Sequence, residues 1–507
     1  MYHMNFINFR AVVFSGVFFF SLAYSTVIPI GKDKSHKNIK SAMKAAIAGD
    51  TLEIFKGKYS EKEYLNKKGG ISGKPILIYT KNKGDVIFNS STEAICFDKV
   101  QHLRFENLIF EGQSINGVNI FDSDTAMPQE THNIHFKNCI FQDMTSGGNH
   151  DLLKISGVDT FIIESCAFIN GAGGGSGIDM VGCHYGTIKN NRFENTGSNG
   201  IQAKGGTQFL TITNNIFKKA GARAINLGGS TGPQFFRPAG AKFEAADLKV
   251  FSNIFIECSA PIAYVGCERV QVINNTIYRP ELWVVRILQE SVDDRFVPCS
   301  NNSFINNIIY FGKNIKTECN VGPNTKPESF NFSNNMWYHF ENSNWEKPNL
   351  PVTDNNAIFK KDPLLSDPSK ENFHLKKGSP AIGKGLLVKE PKNDYYRKSF
   401  ADPRVIGAIE FSNNDIKKEK DFVKNNNYSN LFIICSMDRK RLHIIHYKKP
   451  KSIRLILANG KRIKSKTFFN KKKSITSFDL SDDLNLIILN LKYENYLISK
   501  IVCPGNF

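Results

Sequence analysis

Ile188-Lys189-Asn190-Asn191-Arg192-Phe193 is followed 24 residues on by Ile212-Thr213-Asn214-Asn215-Ile216-Phe217. Each copy runs from a β-branched strand through a polar pair into an apolar pair. Outward from these two, the signature recurs as Asn138-Cys139-Ile140-Phe141, Ser165-Cys166-Ala167-Phe168, Ser252-Asn253-Ile254-Phe255, Asn274-Asn275-Thr276-Ile277, Asn306-Asn307-Ile308-Ile309 and Asn334-Asn335-Met336-Trp337. An earlier copy stands at Glu106-Asn107-Leu108-Ile109-Phe110. From Asn107 the successive steps are 32, 27, 25, 24, 38, 22, 32 and 28 residues. A floor of 22 to 25 with scattered extensions is too short for a propeller blade, whose period is about 40, and the Leu-x-x-Leu-x-Leu frame of a leucine-rich horseshoe is missing. The pattern predicts an all-β fold, a right-handed parallel β-helix with three short strands and three turns per rung. One rung cannot bury its own apolar side chains, but stacked rungs place Phe on Phe and Ile on Ile in a continuous interior column. The Asn of each pair suits a left-handed bend and can bond to its copies above and below.

Composition agrees. A chain of 507 residues needs several domains or one elongated array, and Phe 40 and Gly 38 with only three Trp favour short strands and tight turns. Arg10, the apolar run Ala11 to Ala23 and the small residues around Ala23-Tyr24-Ser25 read as a signal peptide over residues 1–25. The protein is therefore expected to be secreted or at the cell surface, with no transmembrane segment. Cys139 and Cys166 recur at one repeat position, and Cys183 and Cys267 each follow a Val-Gly step, so the cysteines read mostly as small buried hydrophobes with free thiols. The net charge of +19 is uneven: residues 412–507 hold 20 Lys/Arg against 8 Asp/Glu, hence +12 in the tail. No nucleic-acid partner is implied for the rest, only that acidic polymers are not repelled.

Residues 26–411 are assigned to the coil with its ends, the coil proper starting near Gly49. Asn38 to Gly57 reads as an amphipathic helix followed by a strand, and Ala48-Gly49-Asp50-Thr51-Leu52 before Lys56-Gly57-Lys58-Tyr59 resembles the opening of pectin-lyase-like β-helices. That resemblance implies a short helix capping the open end of the core, where an unpaired strand edge would otherwise be exposed. Asp362-Pro363-Leu364-Leu365, Gly378-Ser379-Pro380-Ala381-Ile382-Gly383 and Arg404-Val405-Ile406-Gly407-Ala408 resemble the C-terminal segment of bacterial β-helix proteins, which implies closure of the last rung. Residues 412–430 form a Lys/Asn-rich linker with little to bury. Short alternating strands over 431–507 predict a small C-terminal β-sandwich. Its Asn459-Gly460-Lys461, Asp479-Leu480-Ser481 and Lys500-Ile501-Val502 resemble the sorting domain of the type IX secretion system, which implies the secretion machinery as a partner. The usual Gly-x-Tyr is replaced by Leu484-Asn485-Leu486, and a carbohydrate-binding module is the rival reading.

Aligning rungs by alternation sets Asp151-Leu152-Leu153-Lys154 beside Ile178-Asp179-Met180-Val181, Ile201-Gln202-Ala203-Lys204, Ile225-Asn226-Leu227-Gly228, Ile262-Ala263-Tyr264-Val265 and Val285-Arg286-Ile287-Leu288. Ile178, Met180, Ile201, Ala203, Ile225 and Leu227 then point inward. Asp151, Asp179, Gln202, Asn226 and Arg286 form an outward ladder, with Lys204 two positions along the same face. Gly171 to Gly177, Gly205-Gly206 and Gly228-Gly229 bracket it; they serve tight turns and leave room for a polymer. Two excursions, Gly228 to Ala245 and Glu290 to Asn302, are expected to wall the site, the first carrying Phe235, Phe236, Arg237 and Pro238. Asp151 and Asp179, followed by Gln202 and Asn226, are an oxygen-rich set suited to calcium, or else a solvated polar ladder. His150 and His184 are isolated and show no zinc spacing; His184 is grouped with Gln202, Asn226 and Arg286 as a substrate-binding candidate.

The stretch from Asn199 to Gly232, with Ala203-Lys204-Gly205-Gly206 and Ala222-Arg223-Ala224-Ile225, resembles β-helix polysaccharide lyases that act on alginate or chondroitin-like uronates. The resemblance implies a Lys and an Arg from nearby rungs working together, often with calcium, so Lys204, Arg223 and Arg237 are the catalytic candidates. The chemistry is β-elimination: a base takes the proton α to the uronate carboxylate, a cation stabilises the enolate, and an acid protonates the leaving oxygen. Lys204 can be the base only when neutral, a form that neighbouring cations favour. Arg223 falls five residues before the Lys204 equivalent, about 16 Å along a strand, which leaves Arg237 or Arg286 as alternative partners. The reading is a polysaccharide-active protein, a lyase on acidic glycans and a monomer. A glycan-binding adhesin would more naturally carry an aromatic stripe along the groove. A polygalacturonase-type hydrolase needs two carboxyls about 6.5–9.5 Å apart and the Asn-x-Asp and Asp-Asp signatures that this face lacks.

Overall fold

The computed structural model describes residues 25–412 apart from 126 and 146, and, C-terminal to these, the strands between Ile434 and Val502. The body of the expected signal peptide and the expected linker lie outside the described residues. Contacts divide the chain between Phe411 and Ser412. The first unit is a right-handed parallel β-helix built of three long parallel sheets. A rung is illustrated by His184–Lys189 in the first sheet, Arg192–Glu194 in the second and Asn199–Lys204 in the third. C-terminal to the first unit the described strands form two four-stranded antiparallel sheets.

The corner between the first and second sheets divides its work between the two residues of each polar pair. The first takes the left-handed conformation, with φ of +55° to +58° at Asn138, Asn190, Asn214, Asn274 and Asn306. The second is buried and ties rung to rung: the backbone N–H of Asn191 donates to Asn215 Oδ1 (2.9 Å), that of Asn215 to Asn253 (2.9 Å), of Asn253 to Asn275 (2.8 Å), of Asn275 to Asn307 (2.9 Å) and of Asn307 to Asn335 (2.9 Å). Each amide nitrogen returns a bond to a strand carbonyl, as Asn253 Nδ2 does to Ile212 O at 3.0 Å. These corners turn inside the coil, so their N–H groups would otherwise be orphaned. The earliest copy is offset by one: Ile109 pairs with Ile140, which makes Asn107 the partner of Asn138 rather than of Cys139.

Register at the corner aligns the columns that follow it. Phe88, Phe110, Phe141, Phe168, Phe193, Phe217 and Phe255 stack with centroids 4.7 to 5.4 Å apart, close to the strand spacing of about 4.8 Å. In the third sheet Ile178, Ile201, Ile225 and Ile262, with Met180, Ala203, Leu227 and Tyr264, are fully buried. The eight described cysteines are free and buried.

Two boundaries differ from expectation. The coil starts before Gly49, because Val27–Ile30 already pairs in parallel with Thr51–Ile54. The helix is Ile39–Ala45, started by an Asn38–Ser41 capping box, and its Ile39, Ala42 and Met43 cover the core. The C-terminal segment does not close the last rung. It runs back along the outside of the second sheet, packing Leu365, Phe373, Ala381, Val405, Ile406 and Ala408 on Ile254, Ile256, Tyr278, Ile308 and Met336. The outer Asn of several corners holds it: Asn214 donates to Asp394 O and Tyr395 O, Asn274 to Val405 O and Gly407 O, and Asn306 to Leu386 O. Trp345, Leu350, Val352 and Phe359 pack against the main core in its place.

Asn253→Ala strips the partner from the Asn215 N–H and the Ile212 carbonyl and is expected to cost about 2–4 kcal/mol, read as a lower urea midpoint. Asn195→Gly, at an exposed left-handed corner with φ +53°, is expected to change it by less than about 1 kcal/mol.

Candidate functional site

The third sheet carries the groove. Its strands keep strict register, so Asp179, Gln202, Asn226, Ala263 and Arg286 form one column. The residue paired with Asp179 on the preceding rung is Lys154, not Asp151. Asp151 lies before that strand begins and is a corner residue: its N–H donates to Asn116 Oδ1 (3.0 Å) and its Oδ1 accepts from the Ser176 N–H (2.8 Å). Alternation alone would have found the register, since Leu153-Lys154-Ile155 matches Ile178-Asp179-Met180.

Lys154 changes what the two aspartates can do. Its ammonium bonds Asp151 Oδ2 at 3.2 Å and Asp179 Oδ2 at 2.9 Å, while Lys204 Nζ lies 3.4 Å from Asp179 Oδ1 and donates to Gln202 Oε1 at 3.3 Å. Both carboxylates are almost wholly buried. Burial and the Asp179 charge push the Asp151 carboxyl up to about 6, and the two carboxylates hold Lys154 well above its ordinary value in spite of burial. The residues expected to bind calcium therefore already enclose an ammonium and do not fit a divalent ion. Among the described residues, no group of three or more His, Cys, Asp or Glu side chains could hold a metal.

Lys154, Asp179 and Lys204 floor a groove of about 690 Å³, together with Phe121 and Val181. One wall is Asp122, Ser123 and Thr125; the other is the Gly228–Ala245 excursion, contributing Ser230, Thr231, Gln234, Phe235 and Arg237. Buried Glu244 anchors that excursion by accepting from the N–H of Gly205 (2.9 Å) and Thr231 (3.0 Å) and from the Thr231 hydroxyl (2.7 Å). The Glu290–Asn302 excursion buttresses it: Arg295 stacks 4.5 Å over both Phe236 and Phe296 and donates to Ala239 O.

Of the three catalytic candidates, the fold brings Lys204 and Arg237 to one groove and leaves Arg223 out. Arg237 is 4% exposed and donates to the carbonyls of Asp122 (2.8 Å), Asp124 (3.4 Å) and Phe235 (3.3 Å). It clamps one wall to the other, over a glycine column where a Cβ at Gly182 would come 2.6 Å from Arg237 Cβ. Burial lowers its pKa from the ordinary guanidinium range. Arg223 sits at the opposite end of its strand, paired with Glu290 (2.6 Å) and bonded to Asn226 Oδ1 (3.2 Å). Arg286 donates to Asn320 Oδ1 (3.0 Å) and stacks on Trp283 at 4.3 Å; burial and the Arg223 charge lower its pKa. The charge next to Lys204 is thus a carboxylate, the reverse of the cationic surroundings expected for a neutral amine.

The substrate-binding candidates separate likewise. Gln202 is half-buried beside Lys204, whereas Asn226 is buried and occupied by Arg223. His184 belongs to the first sheet, buried with Nδ1 2.8 Å from Asp159 Oδ1. It and Asn226 expose too little surface to meet a polymer. Lys154, Phe121 and the Asp122–Thr125 wall were not anticipated.

The three-sheet coil defines the class, a right-handed parallel β-helix. A family model described as a right handed beta helix region matches residues 77–236. No curated protein matches the sequence. Among solved structures, pectate lyase Pel9A is 12% identical, with 77% of this chain and 98% of that chain covered at a TM-score of 0.47. XylC in complex with xylose is 12% identical (76% and 98% covered, TM-score 0.44). An alginate lyase from Paenibacillus sp. str. FPU-7 is 14% identical (59% and 97% covered, TM-score 0.36). These likenesses concern the coil and carry nothing about activity.

Arg237→Ala is expected to release the excursion, seen as new protease cleavage near Phe235-Phe236 and a loss of about 2–4 kcal/mol. Arg237→Lys is expected to fail as a replacement, because an ammonium cannot span carbonyls that a planar fork reaches.

Proposed function

We propose that the protein binds an acidic polysaccharide along the groove of the third sheet, with uronate carboxylates set against Lys154 and Lys204 and sugar faces against Phe121 and Phe235. What carries this reading is the groove itself: an open trough across several rungs, walled by two loops, whose floor offers two ammonium groups on a rigid sheet. Phe235 is 51% exposed at its rim, which suits stacking on the apolar face of a sugar. Export through the leader at residues 1–25, and a sorting role for the 431–507 module, belong to the same proposal. Among the described residues no helix is long and apolar enough to cross a membrane.

The finer reading is a lyase acting by β-elimination. Lys204 faces one carboxylate, whereas Lys154 is held by two, so Lys204 is the amine able to act as base. To do so it must first lose its own proton, for which Asp179 Oδ1 at 3.4 Å is the acceptor in reach. Neutral Lys204 then takes the α proton, Lys154 stabilises the enolate charge, and as the bond to the leaving oxygen breaks the ammonium formed on Lys204 hands that proton to it. One observation favours the rival, a non-catalytic glycan binder: among the described residues the ionic partner of Lys204 is the Asp179 carboxylate, while Arg237, in the same groove, is spent on wall carbonyls. In that case the ammonium stays charged and only holds the carboxylate.

Incubating the protein with alginate and polygalacturonate while following ultraviolet absorbance separates the two. A lyase builds up unsaturated product, and Lys204→Ala lowers the rate by about 100-fold or more. No unsaturated product and no new reducing ends from either polymer, with retained binding, favours the binder over both lyase and hydrolase.

Binding also has an expected pH dependence. As pH falls through about 6, Asp151 takes up a proton and Lys154 loses one of its two carboxylate partners, while uronate carboxylates stay ionised. Affinity should therefore rise between pH 7 and 5, and Asp151→Asn should bind at pH 7 as wild type does at pH 5. The stability contribution runs in the same direction: a carboxyl raised in the folded state favours folding below its ordinary value, and that contribution is lost as pH rises through about 6.

A further inference from the structure

Each rung from the fourth to the eleventh places one residue of the first sheet in the left-handed conformation, and these residues form a column along the outside of the coil. They are His102, Asn133, Thr160, Tyr185, Phe209, Asp247, Arg269 and Asn301, all with φ between +51° and +57°. The bend is part of the repeat. Asn133, Asp247 and Asn301 are residues that tolerate this region, whereas β-branched and bulky side chains such as Thr160, Tyr185 and Phe209 resist it. Tyr185 and Phe209 nonetheless stand there on adjacent rungs, 61% and 45% exposed. Their rings are parallel within 12° at a centroid distance of 5.1 Å. Two large exposed rings held side by side at unfavourable backbone positions point to use rather than packing.

A trough of about 590 Å³ starts at Phe209 and continues along the sheet past Asp247, Arg269, Gln271, Asn301 and Ser303. Arg269 pairs with both oxygens of Asp247, at 2.8 and 2.9 Å, and Lys249 pairs with Glu390. A flat aromatic ledge leading into a trough of planar, mutually oriented polar groups matches a carbohydrate, whose ring offers an apolar C–H face and a rim of hydroxyls. A nucleic acid would require unpaired cations to meet its phosphates, and both cations here are neutralised. A protein partner would require a wider apolar patch than two rings.

We propose that Tyr185, Phe209 and the trough beyond them form a second carbohydrate-binding surface, on a different sheet from the groove. The proposal rests on the polysaccharide reading only for the class of ligand. Such a surface would keep a long polymer on the protein while the groove engages one stretch of it.

The test is retardation of the full chain in native gels cast with alginate, polygalacturonate or xylan, using wild type, Tyr185→Asn/Phe209→Asn, Tyr185→Phe, and a groove-disabled Lys204→Ala/Phe235→Ala protein, which leaves Lys154 to pair Asp151 and Asp179. Asn keeps the left-handed backbone, so the double ledge variant should melt at the same temperature or higher. Its affinity should nevertheless fall about fivefold or more for at least one polymer. Tyr185→Phe should bind as wild type, and the groove-disabled protein should keep residual, ledge-dependent retardation. The proposal is overturned if the ledge variant is retarded like wild type in every gel, if it melts lower with binding unchanged, or if the groove-disabled protein is not retarded at all. Failure of the groove reading looks different: the groove-disabled protein would bind like wild type, and all retardation would vanish with the ledge.

Discussion

The hydrogen bond from the backbone N–H of one rung to the buried asparagine side chain of the next governs this molecule. A coil of short strands must turn inward-facing backbone through its corners, where no ladder partner exists and no water enters. An Asn there serves both needs at once, its oxygen accepting from the neighbouring rung and its nitrogen returning a bond to a strand carbonyl. Because the bond joins equivalent atoms of successive rungs, it transmits register. The phenylalanine stack and the aliphatic columns follow from that register, since side-chain direction alternates along every strand. The ladder ends where Asp354 takes the Asn role, accepting from Asn335 Nδ2 and the Trp337 indole.

The same constraint explains the outer surface. The first residue of each corner takes a left-handed bend on the outer side, and where it is Asn214, Asn274 or Asn306 its amide donates beyond the coil. The segment after residue 360 takes up several of these amides and buries apolar side chains of the second sheet, which removes that face as a ligand site. The third sheet, uncovered and flanked by loops, is left to form a groove. Strict stacking there places groups on adjacent rungs within hydrogen-bond range, so charges must alternate to be tolerated when buried. Asp151, Lys154, Asp179 and Lys204 do alternate. This brings positive charge to the groove floor without burying an unpaired ion, and it places Lys204 beside a carboxylate.

Much of the coil was legible in the chain. The polar-pair signature marked every rung from 138 to 335, the Phe and Ile positions marked the interior, and the longest step marked one wall, while the second long step proved a buttress and the Asp122–Thr125 wall carried no such signal. The offset at Asn107 and the start at Val27 escaped because the first rungs lack the full signature. The route of the closing segment escaped because Asp-Pro and Gly-Ser-Pro turns show where a chain bends but not which surface it meets.

The candidate site divides along the same line. Sequence alone determined which face would be polar, and that Asp179, Gln202 and Lys204 would share it, because period-2 alternation and a 24-residue repeat act locally and survive any detail of packing. Only the tertiary structure decided the partners. Lys154 rather than Asp151 stands beside Asp179, Arg237 is consumed in clamping the walls, Arg223 is held by Glu290, and His184 turns into another sheet. Ion pairs depend on distances of a few ångströms between side chains from different rungs and loops. Those distances are set by where each strand begins and how each excursion folds back, which no repeat pattern records.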